Sequence, residues 1–271
     1  MSSAARSKER SAMIYNRFVV CGDSYSEGMS DEQVNGQYRG WADRVADGLA
    51  KKSPTFTYAN LAVRGKLLQQ VIDDQLPVAM TYITGPDTLV SFHAGANDAL
   101  RPGFDATVAK EKYQSAVRAL AATGATVMLF TVLEDTGNKG RGSKVWQERF
   151  GAFNRSIREI AAEVGAIVVD ANGERFLSDR RFLAFDRLHL NSMGHYRCAE
   201  AVLEKLGYEF DPEWRTPLPP AKPTPWIKER AVGVLWFFVF ALPWIIRRLR
   251  GRSSGDGRMP KYPTPLSWPK R

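Results

Sequence analysis

Apolar positions along the chain fall into two alternating patterns. Short runs rich in Val, Ile, Phe and Thr, bounded by Gly, Pro or Asp, occur at 17–22 (RFVVCG), 55–60 (TFTYAN), 87–93 (DTLVSFH), 125–132 (ATVMLFTV) and 166–170 (AIVVD). Runs of this length and composition predict buried strands. Between them, apolar residues recur at helical spacing over 37–51, 65–80, 105–123, 144–164 and 191–207. Strands that are hydrophobic throughout, each followed by a helix, imply a parallel sheet covered on both faces. The pattern predicts an α/β fold: a three-layer α/β/α sandwich on a five-stranded, mostly parallel sheet, with a C-terminal apolar helix beyond it.

The pattern changes after Tyr208. Residues 211–271 hold 11 of the 15 prolines and 5 of the 7 tryptophans. The stretch PEWRTPLPPAKPTPW (212–226) reads as an extended, semi-rigid linker. Ala231–Ile246 then runs for 16 residues without a charge, followed by RRLRGRSSGDGR and a Pro-rich terminus. The expected organisation is a polar basic segment 1–17, a globular domain 18–210, a Pro-rich linker 211–225, an apolar and basic helix 226–250, and a basic Pro-rich tail 251–271.

Charge follows this division. The net charge is +9, but residues 211–271 carry 12 Lys and Arg against 4 Asp and Glu, whereas 18–210 carry 22 against 24. A nucleic-acid reader places its basic stripe on the folded surface, so this distribution argues against one. The two cysteines, Cys21 in an apolar run and Cys198 in a helical pattern, read as reduced core thiols. No C-x-x-C or H-E-x-x-H occurs, so neither a metal nor a cofactor is expected. Residues 1–17 lack the apolar stretch of a signal peptide, which predicts a cytoplasmic location.

In parallel sheets the reactive groups sit just beyond the carboxyl ends of the strands. Those positions hold Gly22-Asp23-Ser24 after the first strand, Asn60 to Gly65 after the second, Gly95-Ala96-Asn97-Asp98 after the third, and Asp186 to His189 before the last helix. A serine, a glycine amide, an asparagine amide and an Asp/His pair on one edge are the inventory of acyl transfer. Each has a bland alternative: Ser24 as a helix cap, Asn97 and Asp98 as turn residues, Gly65 as a loop glycine. His93 reads as a packed histidine. His189, His195 and Asp186 could in principle hold a metal, but their spacing matches no recognised ligand pattern. The loop EDTGNKGRGSK (134–144) brings Lys139, Arg141 and Lys144 to the same edge, where they are either solvated or in contact with an anionic substrate.

Taken together, FVVCGDSYSEG, NLAVRG, GAND and DRLHLNSMGH resemble the four blocks of the SGNH (GDSL-type) hydrolases, in the right order, over about 18–207. The resemblance implies a flavodoxin-like SGNH fold and a serine esterase acting through an acyl-enzyme on lipid, sugar or small acyl esters. It assigns Ser24 as nucleophile, His189 as base and Asp186 as the acid that orients it. The backbone N–H groups of Ser24 and Gly65 and the amide of Asn97 would form the oxyanion hole. Tyr25 stands where the family signature has Leu, at a position that bears on substrate preference. The alternatives are an acyltransferase of the same fold and a catalytically silent, membrane-associated binding protein.

The tail admits three readings. A spanning helix needs about 20 apolar residues, and the uninterrupted run is 16. An interfacial helix, with Trp anchors and the arginines up to Arg252 on anionic headgroups, would place the enzyme at the inner face of the cell membrane. A core helix docked on the domain is the third, supported by the likeness of RRLRGRSSGDG to the tail of one bacterial subset of the family. Because the four blocks end by His195, a chain ending near Tyr208 is expected to hydrolyse small soluble esters normally under the interfacial reading.

Overall fold

A computed structural model describes residues 13–134, 141–174 and 178–269. The element order is β1 (Arg17–Gly22), α1 (Ser24–Glu27), β2 (Gln33–Val34), β3 (Gln37–Tyr38), α2 (Gly40–Ala50), β4 (Thr57–Asn60), α3 (Leu68–Asp74) and α4 (Leu76–Tyr82). There follow β5 (Thr88–His93), α5 (Ala96–Ala99), α6 (Ala106–Ala122), β6 (Thr126–Phe130), α7 (Arg141–Val164), β7 (Ile167–Val169) and α8 (Ser192–Leu206). The C-terminal part adds α9 (Trp226–Trp236), a π-helical stretch Phe237–Ala241, α10 (Leu242–Leu249) and β8 (Tyr262–Ser267).

The main sheet has the order β7-β6-β5-β1-β4-β8, while β2 and β3 form a separate two-stranded ribbon. The first five strands are parallel, with β1 paired to β4 on one side and β5 on the other. Alternation along β1 shows how the layers form. Val19 and Cys21 face one core, with residues of α3, α4, α6 and α7. Phe18 and Val20 face the other, with Trp41, Val45 and Leu49 of α2 and Val202 and Leu203 of α8. Successive strand side chains point to opposite faces, so a strand buried on both sides must be apolar at every position.

The sheet has six strands, not five. The sixth, β8, comes from the stretch read as a basic Pro-rich tail. It runs antiparallel to β4, pairing Thr57 with Ser267, Tyr58 with Leu266 and, past an irregularity, Asn60 with Tyr262. Its sequence YPTPLS hides it, because proline removes ladder donors and is accepted only at an edge. Lys261 secures the strand with a buried ion pair to Asp43, 2.7 Å, and donates to the Tyr38 and Arg39 carbonyls. Trp268 Nε1 donates to Asp47, 2.8 Å.

The continuous helix Trp226–Leu249 has 24 residues and is long and apolar enough to cross a membrane, by length and composition. None of it is fully buried. Trp236, Phe240 and Trp244, one helical turn apart, are partly covered, whereas Leu235, Phe238, Val239 and Leu249 are exposed.

Candidate active site

The switch in strand order falls at β1, whose neighbours β4 and β5 leave it on opposite sides. A crevice opens at the carboxyl end of such a strand. β1 ends at Gly22, where a Cβ would meet the His93 carbonyl oxygen at 2.6 Å. The Gln75 side chain holds both Gly22 N–H and Gly22 O, at 2.8 and 2.9 Å. The chain then turns directly into α1, capped by Asp23, which accepts from the Tyr25 N–H. Ser24 opens that helix and is buried.

The structure brings Ser24, His189 and Asp186 together. His189 Nε2 lies 2.8 Å from Ser24 Oγ, and His189 Nδ1 lies 2.7 Å from Asp186 Oδ2. The other Asp186 oxygen accepts the backbone N–H groups of Leu188 and His189, at 2.9 and 3.0 Å. One four-residue turn thus orients both partners. Burial would raise the Asp186 carboxyl, but the His189 ring and these backbone donors hold it below the usual carboxylate range. Arg187, inside the turn, has φ of 62°. Its guanidinium stacks on Trp236, 4.9 Å from the ring centroid, and the Trp236 indole donates to the Asp186 carbonyl, 3.0 Å.

Gly65 occupies a turn after β4 with φ of 75°. Among the described residues, neither its N–H nor that of Ser24 donates to a protein acceptor. Asn97 also reaches the site, and its side-chain amide donates to Asp23 Oδ2 at 3.1 Å and the Lys66 carbonyl at 3.0 Å. Asp23 therefore ties the turn that carries Ser24 to Asn97. Burial holds the Asp23 carboxyl above its usual range, and nearby His93 offsets only part of that rise. The pairing of Glu27 with Arg64 carried no sequence signal. Glu27, on α1, accepts from the Arg64 backbone N–H at 2.7 Å and binds its guanidinium.

Neither remaining histidine joins the reactive set. His93 is buried against the Tyr25 ring, with centroids 4.7 Å apart. His195 is fully buried; its Nε2–H donates to the Met29 carbonyl and its Nδ1 accepts the Trp41 N–H. Among the described residues no group of His, Cys, Asp or Glu could hold a metal ion. Cys198 lies 2.8 Å from the Tyr25 hydroxyl, and burial pushes its thiol up to about 12, which leaves no thiolate to react. Lys139 lies outside the described residues, as does the Arg141 side chain, and Lys144 is exposed. Beside Ser24 a cavity of about 220 Å³ opens, lined by Phe130, Val132, Leu133, Phe150 and Leu190.

The model of the GDSL-like lipase/acylhydrolase family matches residues 20–197, about two thirds of the chain. The chain belongs to that family. As a GDSL hydrolase it is an esterase-class enzyme, and solved structures share its fold. An alpha/beta hydrolase from the metagenome of Lake Arreo, Spain, is 18% identical with a TM-score of 0.60, over 72% of this chain and 98% of its own. An acetylxylan esterase from Geobacillus stearothermophilus is 16% identical with a TM-score of 0.59, over 73% and 97%. A member of the lipolytic G-D-S-L family from Veillonella parvula is 23% identical with a TM-score of 0.54, over 69% and 96%. No curated protein sequence matches this GDSL hydrolase significantly.

Proposed function

We propose that this GDSL hydrolase cleaves carboxylic esters through a Ser24–His189–Asp186 triad. The observation that carries the reading is the unbroken chain from Ser24 Oγ through His189 to Asp186, at 2.8 and 2.7 Å. Ser24 Oγ bonds to the ester carbonyl carbon while its proton passes to His189 Nε2. The resulting oxyanion is met by the Ser24 and Gly65 N–H groups and by the Asn97 amide, which exchanges one of its resting acceptors. Collapse breaks the ester C–O bond, and His189 returns the proton to the departing alcohol. Water then repeats the sequence on the acyl-enzyme, releasing the acid and restoring Ser24. The apolar cavity beside Ser24 suits a hydrocarbon acyl group better than a polar one. The Geobacillus acetylxylan esterase has catalytic mutants at a Ser, an Asp and a His, the last two three residues apart, as Asp186 and His189 are.

The test is labelling by a fluorophosphonate together with a chain-length series of p-nitrophenyl esters. Wild type should label at Ser24, and Ser24→Ala should neither label nor turn over while keeping its thermal midpoint. Residual activity within about tenfold of wild type would remove Ser24 from the mechanism. An absence of labelling in wild type would favour the silent binding protein.

We further propose that the helix Trp226–Leu249 lies on an anionic lipid surface beside this site. Its exposed face carries Leu235, Phe238, Val239 and Leu249, and Arg247, Arg248, Arg250 and Arg252 cluster at its end. Apolar area plus arginine is the chemistry of interfacial binding. A span is disfavoured because a 24-residue helix is about 36 Å long, and crossing with it would separate β8 from β4. Phosphatidylglycerol vesicles should pellet the protein at low salt and release it at high salt, whereas phosphatidylcholine vesicles should not bind it. Equal sedimentation with both, or with neither, would end this reading.

A further inference from the structure

We infer that the C-terminal turn 253–258 is a positioning device for the Gly65 N–H. The inference rests on the assignment of Gly65 to the oxyanion hole. It concerns residues beyond the 20–197 stretch that the family model covers.

The turn is internally braced. Ser253 N–H donates to Asp256 Oδ2 at 2.8 Å, and Gly255 N–H donates to Ser253 Oγ at 3.2 Å. Arg258 closes it, its N–H donating to the Gly255 carbonyl and its Nε to the Ser254 carbonyl, both at 3.1 Å. The ion pair of Lys261 with Asp43 and the pairing of β8 then anchor it to the domain.

This turn sits on the two carbonyls that flank the Gly65 N–H. Ser253 Oγ donates to the Gly65 carbonyl at 3.2 Å. Gly255 packs so closely on the Arg64 carbonyl that a Cβ at 255 would collide with its oxygen, and a Cβ at 65 would collide with Ser253 Oγ. The Arg64–Gly65 peptide is planar, so fixing the Arg64 oxygen fixes the direction of the Gly65 N–H on its opposite side. From below, Glu27 holds the Arg64 N–H, and Glu27 belongs to the helix that Ser24 opens. The donor peptide is thus gripped between the nucleophile's helix and the tail. Backbone donors of an oxyanion hole act by preorganisation, and loss of position costs rate without changing substrate capture.

Ser253→Ala removes the hydrogen bond, Gly255→Ala pushes the Arg64 carbonyl, and Ser253→Thr keeps the hydroxyl. Activity is read per active site titrated with fluorophosphonate, on a short p-nitrophenyl ester. Complete loss of one oxyanion donor costs about 10²–10³ in kcat, so a displaced donor should cost roughly 10–100-fold in Gly255→Ala and several-fold in Ser253→Ala. KM should stay within about twofold, and Ser253→Thr should recover the rate. An alkyl trifluoromethyl ketone, which becomes a tetrahedral oxyanion on Ser24, should lose affinity in the same ratio as kcat/KM. A purely structural role would lower the number of titratable sites and leave this affinity unchanged. If Ser253→Ala and Gly255→Ala keep the wild-type kcat per site and ketone affinity while Ser24→Ala is inactive, the positioning role is overturned and the triad stands. If Ser24→Ala remains active, the triad itself is wrong.

Discussion

Asp186 carries three hydrogen bonds with its two oxygens, two from backbone and one from the His189 ring. In Asp186→Asn the backbone donors would keep the amide oxygen, turning the NH₂ toward His189 Nδ1. That forces the ring proton onto Nε2, where the hydrogen bond from Ser24 must be accepted. Turnover should fall about 10⁴-fold with the fold intact, as a wrong-tautomer effect; kcat beside the thermal midpoint checks both halves. His195 responds to pH differently. Burial holds it neutral in the folded protein, with its pKa lowered to about 4. The unfolded imidazole titrates near 6.5, so between these values the unfolded chain binds more protons and stability rises with pH. Stability from this group is complete above pH 6.5 and is lost as pH falls toward 4. Denaturant midpoints at pH 7 and 4.5 should differ less in His195→Gln than in wild type. Ser24, His189, Asp186 and Asn97 were legible in the sequence because each lies just past a strand end or in a short block. The Asp23–Asn97 and Glu27–Arg64 contacts were not, because each is set by tertiary approach and no local spacing encodes it.

At the scale of elements, β8 changes what the tail does. Lys261 and Asp43 are each about 5% exposed at their side chains, so removing the cation leaves a carboxylate buried without its partner. Lys261→Met should destabilise the protein by about 3–5 kcal/mol, and Asp43→Asn beside it should recover much of the loss, because a neutral pair carries no uncompensated charge. Urea midpoints of the two variants decide this. The same geometry changes what is expected of a chain ending near Tyr208. Such a chain loses β8, Lys261, Trp268 and the turn against Gly65 together. It should unfold at lower temperature and turn over small esters more slowly per titrated site, and equal rates would contradict this.

The whole molecule joins a legible core to an illegible edge. Five strands announced themselves as apolar runs because layers cover both of their faces, fully along β1 and β5 and in part along β7. The sixth carries proline at two of its six positions, and its pairing partner lies some two hundred positions earlier, so no local pattern marks it. That separation governs how the chain is made. A ribosome adds about 5–20 residues per second, so between Asn60 and Tyr262 the outer edge of β4 waits roughly 10–40 s for its neighbour. Throughout that interval a strand with Tyr58 on it offers unpaired donors and acceptors to any other nascent chain. The protein should therefore be open to edge pairing with other chains during its own synthesis. A synthetic peptide covering 259–269, supplied during cell-free translation, should compete for that edge and raise the soluble yield.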